Sequence, residues 1–275
     1  MNQPQEQLKI ILIGDSCYDK THYGHVNRLS PEAPIPILDF SHTIETEGMA
    51  TNVLNNFIAL GVNEDDMYFY TEFYENKNRY IDEKTKQQLL RVDTPIPKIT
   101  HFHPKNYGLW DSLNKYNYMV IADYDKGTVS YDMIHKLRKK FHGTIFLDTK
   151  KPDLQQFRGC ILKINNNEWN SRTSDPEETE VIVTHGGDKV CWMNKNGNMQ
   201  IFYPPKVEAF DACGCGDTFL AALAYYYGRT QDLETGICFA MDAAAETIKH
   251  IGVYAPTWKE ISNGKTSPSR LSDRS

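Results

Sequence analysis

Short, unbroken apolar runs recur along the chain, each closed by a polar residue or glycine and most followed by a stretch with helical spacing. Lys9-Ile10-Ile11-Leu12-Ile13 ends at Gly14-Asp15. Four consecutive aliphatic residues leave no solvent face, so the run predicts a strand buried on both sides. The same pattern predicts strands at 118–122, 144–147 and 181–184. Val53, Leu54, Phe57, Ile58 and Leu60 predict a helix over 50–60 that Gly61 stops. Residues 131–141 predict an amphipathic basic helix, and 216–228 and 232–250 predict two Ala-rich helices. Strands alternating with helices define an α/β fold with a mostly parallel central sheet covered on both faces. Ligands in such sheets bind at the carboxyl ends of strands. Here those ends carry Asp15, Asp123, Asp148, Asn165 and Thr184.

Two segments break the alternation. Residues 28–40 and 79–92 predict a small antiparallel β flap beside the main sheet, within a single domain over 1–260. Residues 261–275 contain five serines and no apolar period, which predicts a disordered tail.

Composition narrows the function. The chain has 275 residues and a formal net charge of −6, with no basic block. That balance argues against binding nucleic acid through its phosphates. No apolar run approaches the ~18 residues of a membrane span, and the first residues lack the Lys and Arg of a secretory signal. A cytoplasmic enzyme or binding protein is expected. Cys17, Cys160, Cys191, Cys213, Cys215 and Cys238 include no CxxC pair, so no disulfide framework or spaced zinc site is expected. Cys213-Gly214-Cys215 reads as two small residues in a tight turn, in preference to a metal or redox pair.

Asp211-Ala212-Cys213-Gly214-Cys215-Gly216-Asp217-Thr218-Phe219 is a glycine-rich turn opening a helix. Its N–H groups and the helix dipole favour an anion. A carboxylate inside such a cradle repels phosphate but makes sense as a general base beside a transferring phosphoryl group. By mechanism alone, Asp217 reads equally well as a helix cap. Asn165-Asn166-Asn167-Glu168 follows the strand Ile161-Leu162-Lys163-Ile164 and reads as a turn with a helix cap, or as oxygen donors suited to Mg²⁺. His22-Tyr23-Gly24-His25 matches the HxGH of nucleotidyltransferases, where the histidines start a helix. Pro31, Pro34 and Pro36 forbid an extended helix there, so these histidines are expected in a loop.

Together these motifs resemble the PfkB/ribokinase carbohydrate kinases, and within them the heptose 7-phosphate kinases of ADP-heptose synthesis. Asp211 to Asp217 resembles the D-T-x-G-A-G-D signature, and Gly14-Asp15-Ser16-Cys17-Tyr18-Asp19 the first sugar-binding turn. Arg28-Leu29-Ser30-Pro31-Glu32-Ala33-Pro34-Ile35-Pro36 resembles R-x-S-P-E-A-P-x-P, the most specific of the set. Gly48-Met49-Ala50-Thr51-Asn52 resembles G-G-A-A-N, and Ala122-Asp123-Tyr124-Asp125-Lys126-Gly127 resembles S-D-Y-x-K-G. Asp148-Thr149-Lys150 resembles D-P-K, and Asn165 to Glu168 resembles N-x-x-E.

The resemblance implies a ribokinase-like three-layer sandwich that uses ATP and Mg²⁺ on a sugar phosphate and forms a homodimer, with no nucleic-acid or membrane partner. It implies Asp217 as base on the sugar hydroxyl, with N–H groups of Gly214, Cys215 and Gly216 as anion hole. Asp15, Asp19 and Asn52 would hold sugar hydroxyls, and Asn165 and Glu168 would organise Mg²⁺. Thr184, Gly186 and Asp242 would line the nucleotide. Arg91 and Lys126, then Arg79 and Lys150, are the candidates for the substrate phosphate. Three features depart from the pattern. Met49 replaces a glycine, Ala212 and Cys215 replace Thr and Ala, and only fifteen residues lie between Gly61 and Lys77, one strand–helix unit short. A non-catalytic sugar or nucleotide binder is the alternative those departures favour.

Overall fold

The first apolar run behaves as its pattern demands. In strand β1 (Ile10–Leu29), Ile10 and Leu12 join one hydrophobic core, Ile11 and Ile13 join another, and all four are fully buried. The computed structural model describes residues 7–96 and 108–263. These form two compact units, one from the described parts of 1–15, 49–72 and 100–275, the other from 16–48 and 73–99.

The larger unit contains the start of β1, helix α1 (Ala50–Ala59) and the start of β3 (Met67–Asp82). Then follow β5 (Tyr118–Asp123), α2 (Tyr131–Lys140), β6 (Thr144–Thr149), β7 (Ile161–Asn165), α3 (Asn166–Asn170) and β8 (Glu180–Thr184). The described part ends with β9 (Val190–Met193), β10 (Met199–Phe202), α4 (Cys215–Thr230), α5 (Leu233–Thr247) and α6 (Trp258–Asn263). Strands β1, β5, β6, β7 and β8 pair in parallel in the order β8-β7-β6-β5-β1, and β9 and β10 extend the β8 edge antiparallel. Val53 and Phe57 of α1, Phe219 and Leu223 of α4 and Ile237 of α5 pack on one face, while Ile134 and Leu137 of α2 cover the other. Two covered faces are why the central strands read as solid apolar runs.

Small signals set the helix ends. The Ser130 side chain accepts from Met133 N–H at the start of α2, and Arg138, Lys139 and Lys140 occupy its last turn, where the dipole favours cations. Asp232 caps α5 through Glu234 and Thr235 N–H.

The smaller unit is built from the rest of β1 and β3 with β2 (Pro36–Met49) and β4 (Gln88–Pro95). Its strand order is β2-β1-β3-β4, and β3 and β4 are antiparallel with Arg79 opposite Arg91. It takes in more chain than 28–40 and 79–92, because β1 runs on past Asp15 without a break. This corrects one expectation: His22 and His25 are strand residues, not loop residues. His22 stacks on Tyr80 and hydrogen-bonds Thr43 and Asn78. Further stacks, Tyr18 on Phe73 and Tyr23 on His42, tie strand to strand. The prolines fall at 31, 34 and 36, in the turn between β1 and β2 and at the start of β2. Ile261, where the disordered tail is expected to begin, is instead buried within α6. Residues 264–275 lie outside the described residues.

Candidate active site

The site grows from the turn ahead of α4. Gly214 is the N-cap with φ +77, a left-handed conformation that favours glycine, and a Cβ there would lie 2.6 Å from Asn52 Nδ2. Thr218 N–H makes the first helical bond to Gly214 C=O. The N–H groups of Cys215, Gly216 and Asp217 therefore lie in the first turn, which has no intrahelical acceptors of its own. Asp211 shapes the approach: its carboxylate accepts Cys213 N–H and Gly252 N–H, each at 2.9 Å.

Asp217 is 5% exposed. Its Oδ1 accepts the Tyr124 hydroxyl at 2.6 Å and its Oδ2 accepts Asn52 Nδ2 at 3.0 Å. Asn52 is held in turn by Asn56 Nδ2, which donates to both Asn52 O and Asn52 Oδ1. Burial pushes the Asp217 carboxyl up to about 6, against the Tyr124 and Asn52 hydrogen bonds that pull it down. A carboxylate so placed is ionised near neutrality yet basic enough to accept a proton.

Beneath the turn lies a buried cation that the motifs do not single out. Lys163 on β7 is 4% exposed and donates to Asp148 Oδ2 on β6 at 2.5 Å. Burial works against its charge, but the Asp148 carboxylate prevails and holds the ammonium above its ordinary pKa. A Cβ on Gly216 would sit 3.1 Å from Lys163 Nζ, so glycine there leaves room for the ammonium. The sequence signal was present: a lysine at the third position of the buried run Ile161-Leu162-Lys163-Ile164 requires a partner.

Two cavities meet at Lys163, Asn165 and Gly216. The smaller, about 130 Å³, is polar and is also lined by Asp123, Tyr124, Asp148, Lys150 and Glu168. The larger, about 350 Å³, runs from Cys215 and Gly216 to Thr184, Gly186 and an apolar end with Pro204, Phe219 and Met241. Asp242 is on α5, but Met241, Ala244 and Ala245 are the residues of that stretch that line the cavity. The apolar wall escaped sequence reading because its residues come from segments far apart in the chain.

Asn165 and Glu168 form a capping box at α3. Asn165 Oδ1 accepts Glu168 N–H at 3.0 Å, and Glu168 Oε2 accepts Asn165 N–H at 2.7 Å. Lys150 Nζ donates to Glu168 Oε1 at 2.6 Å. Among the described residues no group of three or more His, Cys, Asp or Glu side chains is gathered as a metal cage. The hard oxygens of Asp148, Asn165 and Glu168 around one small polar cavity do fit Mg²⁺ held mostly by water and phosphate.

The other expected residues fall elsewhere. Asp15 is fully buried and accepts three backbone N–H groups, from Tyr124 at 2.7 Å, Lys126 at 3.1 Å and Thr128 at 3.0 Å. It thereby fixes the loop that presents Tyr124. Asp19 belongs to the smaller unit, where it is ion-paired with Arg79. Arg91 pairs with Asp93 in the same unit. Lys126 is exposed on the loop after β5. Met49 is buried at the N-cap of α1 with φ +65, so the backbone keeps a glycine-like conformation at the position where the resemblance has glycine. Burial pushes the Cys215 thiol up to about 11, leaving it protonated and unreactive near neutrality.

Residues 167–260 match the family model described as pfkB family carbohydrate kinase, the stretch that carries α4 and α5. The fold is that of the ribokinases: ribokinase from Thermotoga maritima superposes with a TM-score of 0.70 at 17% identity, over 94% of this chain and 99% of that one. The nucleoside kinase of Methanocaldococcus jannaschii superposes at 0.64 and 16% identity, over 93% and 97%. The chain thus has a ribokinase-like fold whose C-terminal part, 167–260, is similar to the pfkB carbohydrate kinases.

Among curated proteins it is similar to bifunctional protein HldE of a Nitratiruptor species, 28% identical over 299 aligned positions and 92% of this chain. HldE of Helicobacter hepaticus is 27% identical over 96% of the chain. The chain spans 64% and 65% of the length of these relatives. The Nitratiruptor alignment is longer than the 275 residues of this chain, so the relative carries residues that this chain lacks. Among the described residues, no helix is long and apolar enough to cross a membrane.

Proposed function

We propose that this chain transfers the γ-phosphoryl group of ATP to the anomeric hydroxyl of a heptose 7-phosphate, with Asp217 as general base. The observation that carries the reading is the Asp217 carboxylate, buried and hydrogen-bonded on both oxygens, in the first turn of a helix whose glycine-rich start suits a phosphate. Nucleotide phosphates would lie along the N–H groups of Cys215 and Gly216 with Lys163 beneath, and the base would extend toward the apolar end of the larger cavity. Asn165, Glu168 and Asp148 would hold Mg²⁺ through water; the ion would neutralise phosphate charge. Asp217 would take the hydroxyl proton, Asn52 would orient the carboxylate, and Asp15 would act indirectly, by fixing the loop that bears Tyr124. The choice of a heptose phosphate rests on the Arg28–Pro36 segment and on the similarity to the HldE proteins.

The test is ADP release across a panel of sugars and sugar phosphates, with titration of a non-hydrolysable ATP analogue plus Mg²⁺. Turnover with a heptose 7-phosphate is expected; no heat or thermal stabilisation at millimolar nucleotide overturns the reading. A substrate phosphate brings about two negative charges and needs a cation. Alanine at Lys126, Arg91, Arg79 or Lys150 is therefore expected, at whichever holds the phosphate, to raise KM for the sugar phosphate about tenfold or more with KM for ATP nearly unmoved. Four unchanged KM values would make an unphosphorylated sugar the better substrate.

A further inference from the structure

The loop after β5 places a phenol on the carboxylate that would do the chemistry. Tyr124 Oη lies 2.6 Å from Asp217 Oδ1. The loop is itself tied down, since Asp15 accepts the N–H groups of Tyr124, Lys126 and Thr128. Tyr124 also has the Lys150 ammonium 5.0 Å from its ring centroid, and it lines the polar cavity that Asp148, Lys163 and Glu168 share.

We propose that Tyr124 is a positioning residue for Asp217: its hydroxyl holds the carboxylate in one orientation and keeps it ionised at neutral pH. The argument follows from what surrounds the carboxyl. Buried on every side, Asp217 loses the water that would stabilise its charge. Asp148 from β6 repels it, and the Lys163 ammonium from β7, which Asp148 already engages, attracts it. Cys215 on its own helix is a neutral thiol. Two donors favour the charged form, Asn52 from α1 on Oδ2 and Tyr124 on Oδ1. Of these, Asn52 is buried and braced by Asn56, whereas Tyr124 is only partly buried and faces the cavity. A phenol is the stronger donor, and its bond is the shorter. Without it, one oxygen of a buried carboxylate has lost its donor. The carboxyl then binds a proton at higher pH and can turn about its Cγ.

The proposal rests on reading Asp217 as the base, so the test uses two independent readouts. The first is titration of Asp217 in the ligand-free full chain by carboxyl ¹³C NMR, assigned by its loss in Asp217→Asn. Tyr124→Phe is expected to move the midpoint up by about one unit. Fluorotyrosine at position 124, a more acidic phenol of nearly the same shape, is expected to move it down, and it keeps the test valid should the Phe variant not fold. The second is the pH dependence of kcat/KM for the sugar, whose acid limb reports the free enzyme. In Tyr124→Phe, that limb is expected to shift up with the NMR midpoint and kcat at pH 7 to fall about twofold or more, with KM for ATP within about twofold. If the wild type turns over no sugar yet the NMR midpoints move as stated, the kinase reading fails and the coupling stands. Midpoints unchanged in both variants overturn the proposal. A kcat loss with an unshifted acid limb also overturns it, making Tyr124 a packing residue only.

Discussion

A single carboxylate concentrates both the cost and the use of this site. Burial raises the Asp217 pKa from 3.8 to about 6. Between these values the folded chain binds a proton that the unfolded chain does not. Stability from this group is therefore fully present below pH 3.8 and is lost as pH rises through about 6. In the proposed role Asp217 must be ionised, so activity is expected to run the other way and to fall as pH drops through the same region. Asp217→Asn separates the two effects. Turnover is expected to drop by about 10²–10⁴-fold or more, with nucleotide affinity within a few-fold. Above pH 7 the variant is expected to unfold at higher denaturant, by on the order of 1–3 kcal/mol, and the gain should vanish toward pH 4. Wild-type turnover in the variant would reduce Asp217 to a helix cap. The setting of Asp217 was legible in its own motif, because a glycine-rich turn before a helical run places the carboxylate in the first turn of α4. Its partners were not: Tyr124 and Asn52 lie 93 and 165 residues away in sequence, and no local pattern encodes which donors converge.

At the scale of elements, the central sheet was legible and the second sheet less so. Four consecutive aliphatic residues in β1 are explained by nothing but burial on both faces, whereas the remainder of the same strand carries Lys20, His22, Tyr23, His25 and Arg28 and has no apolar period to read. Its strand character comes from cross-strand aromatic stacks, which depend on register. The same long-range logic binds β6 to β7 through Asp148 and Lys163, ahead of the turn that opens α4. Lys163→Met leaves Asp148 without its cation and is expected to destabilise by about 3–5 kcal/mol in chemical denaturation. Replacing Asp148 as well, with Leu, should recover much of that loss, since an apolar pair of similar volume can match a buried ion pair. A double variant no more stable than Lys163→Met would deny the pairing. Gly214→Ala attacks the next element directly. It forces a Cβ onto a left-handed backbone and against Asn52, and is expected to cost about 1–3 kcal/mol and to lower kcat by disturbing the Asn52 contact with Asp217. Unchanged kcat would show that the turn adapts without moving Asn52.

For the whole molecule, the smaller unit poses the remaining question. It shows water a set of large apolar residues, among them Phe40 at 64% exposure, Leu29 at 63% and Leu90 at 56%. They are not scattered at random along the strands. Phe40 and Ile44 are four apart on β2, and Leu90 and Val92 are two apart on β4, so each pair lies on one face of its strand. Both strands are outermost in their sheet, β2 beyond β1 and β4 beyond β3. Outer strands with apolar faces invite pairing and are seldom left bare. A second copy of the chain is the occupant we expect, because an identical sheet offers the same apolar residues and the same strand edges in a self-complementary contact. Light scattering after size exclusion is expected to give a dimer at tens of micromolar, and the melting temperature should rise with protein concentration, as it must when association stabilises the fold. Phe40→Glu with Ile44→Glu should give a monomer that keeps its far-ultraviolet circular dichroism, since both side chains are exposed and contribute little to the fold of one chain. A wild-type monomer at that concentration would sink the dimer. So would a double variant that stays dimeric with these two side chains charged, since it would place the contact elsewhere on the molecule.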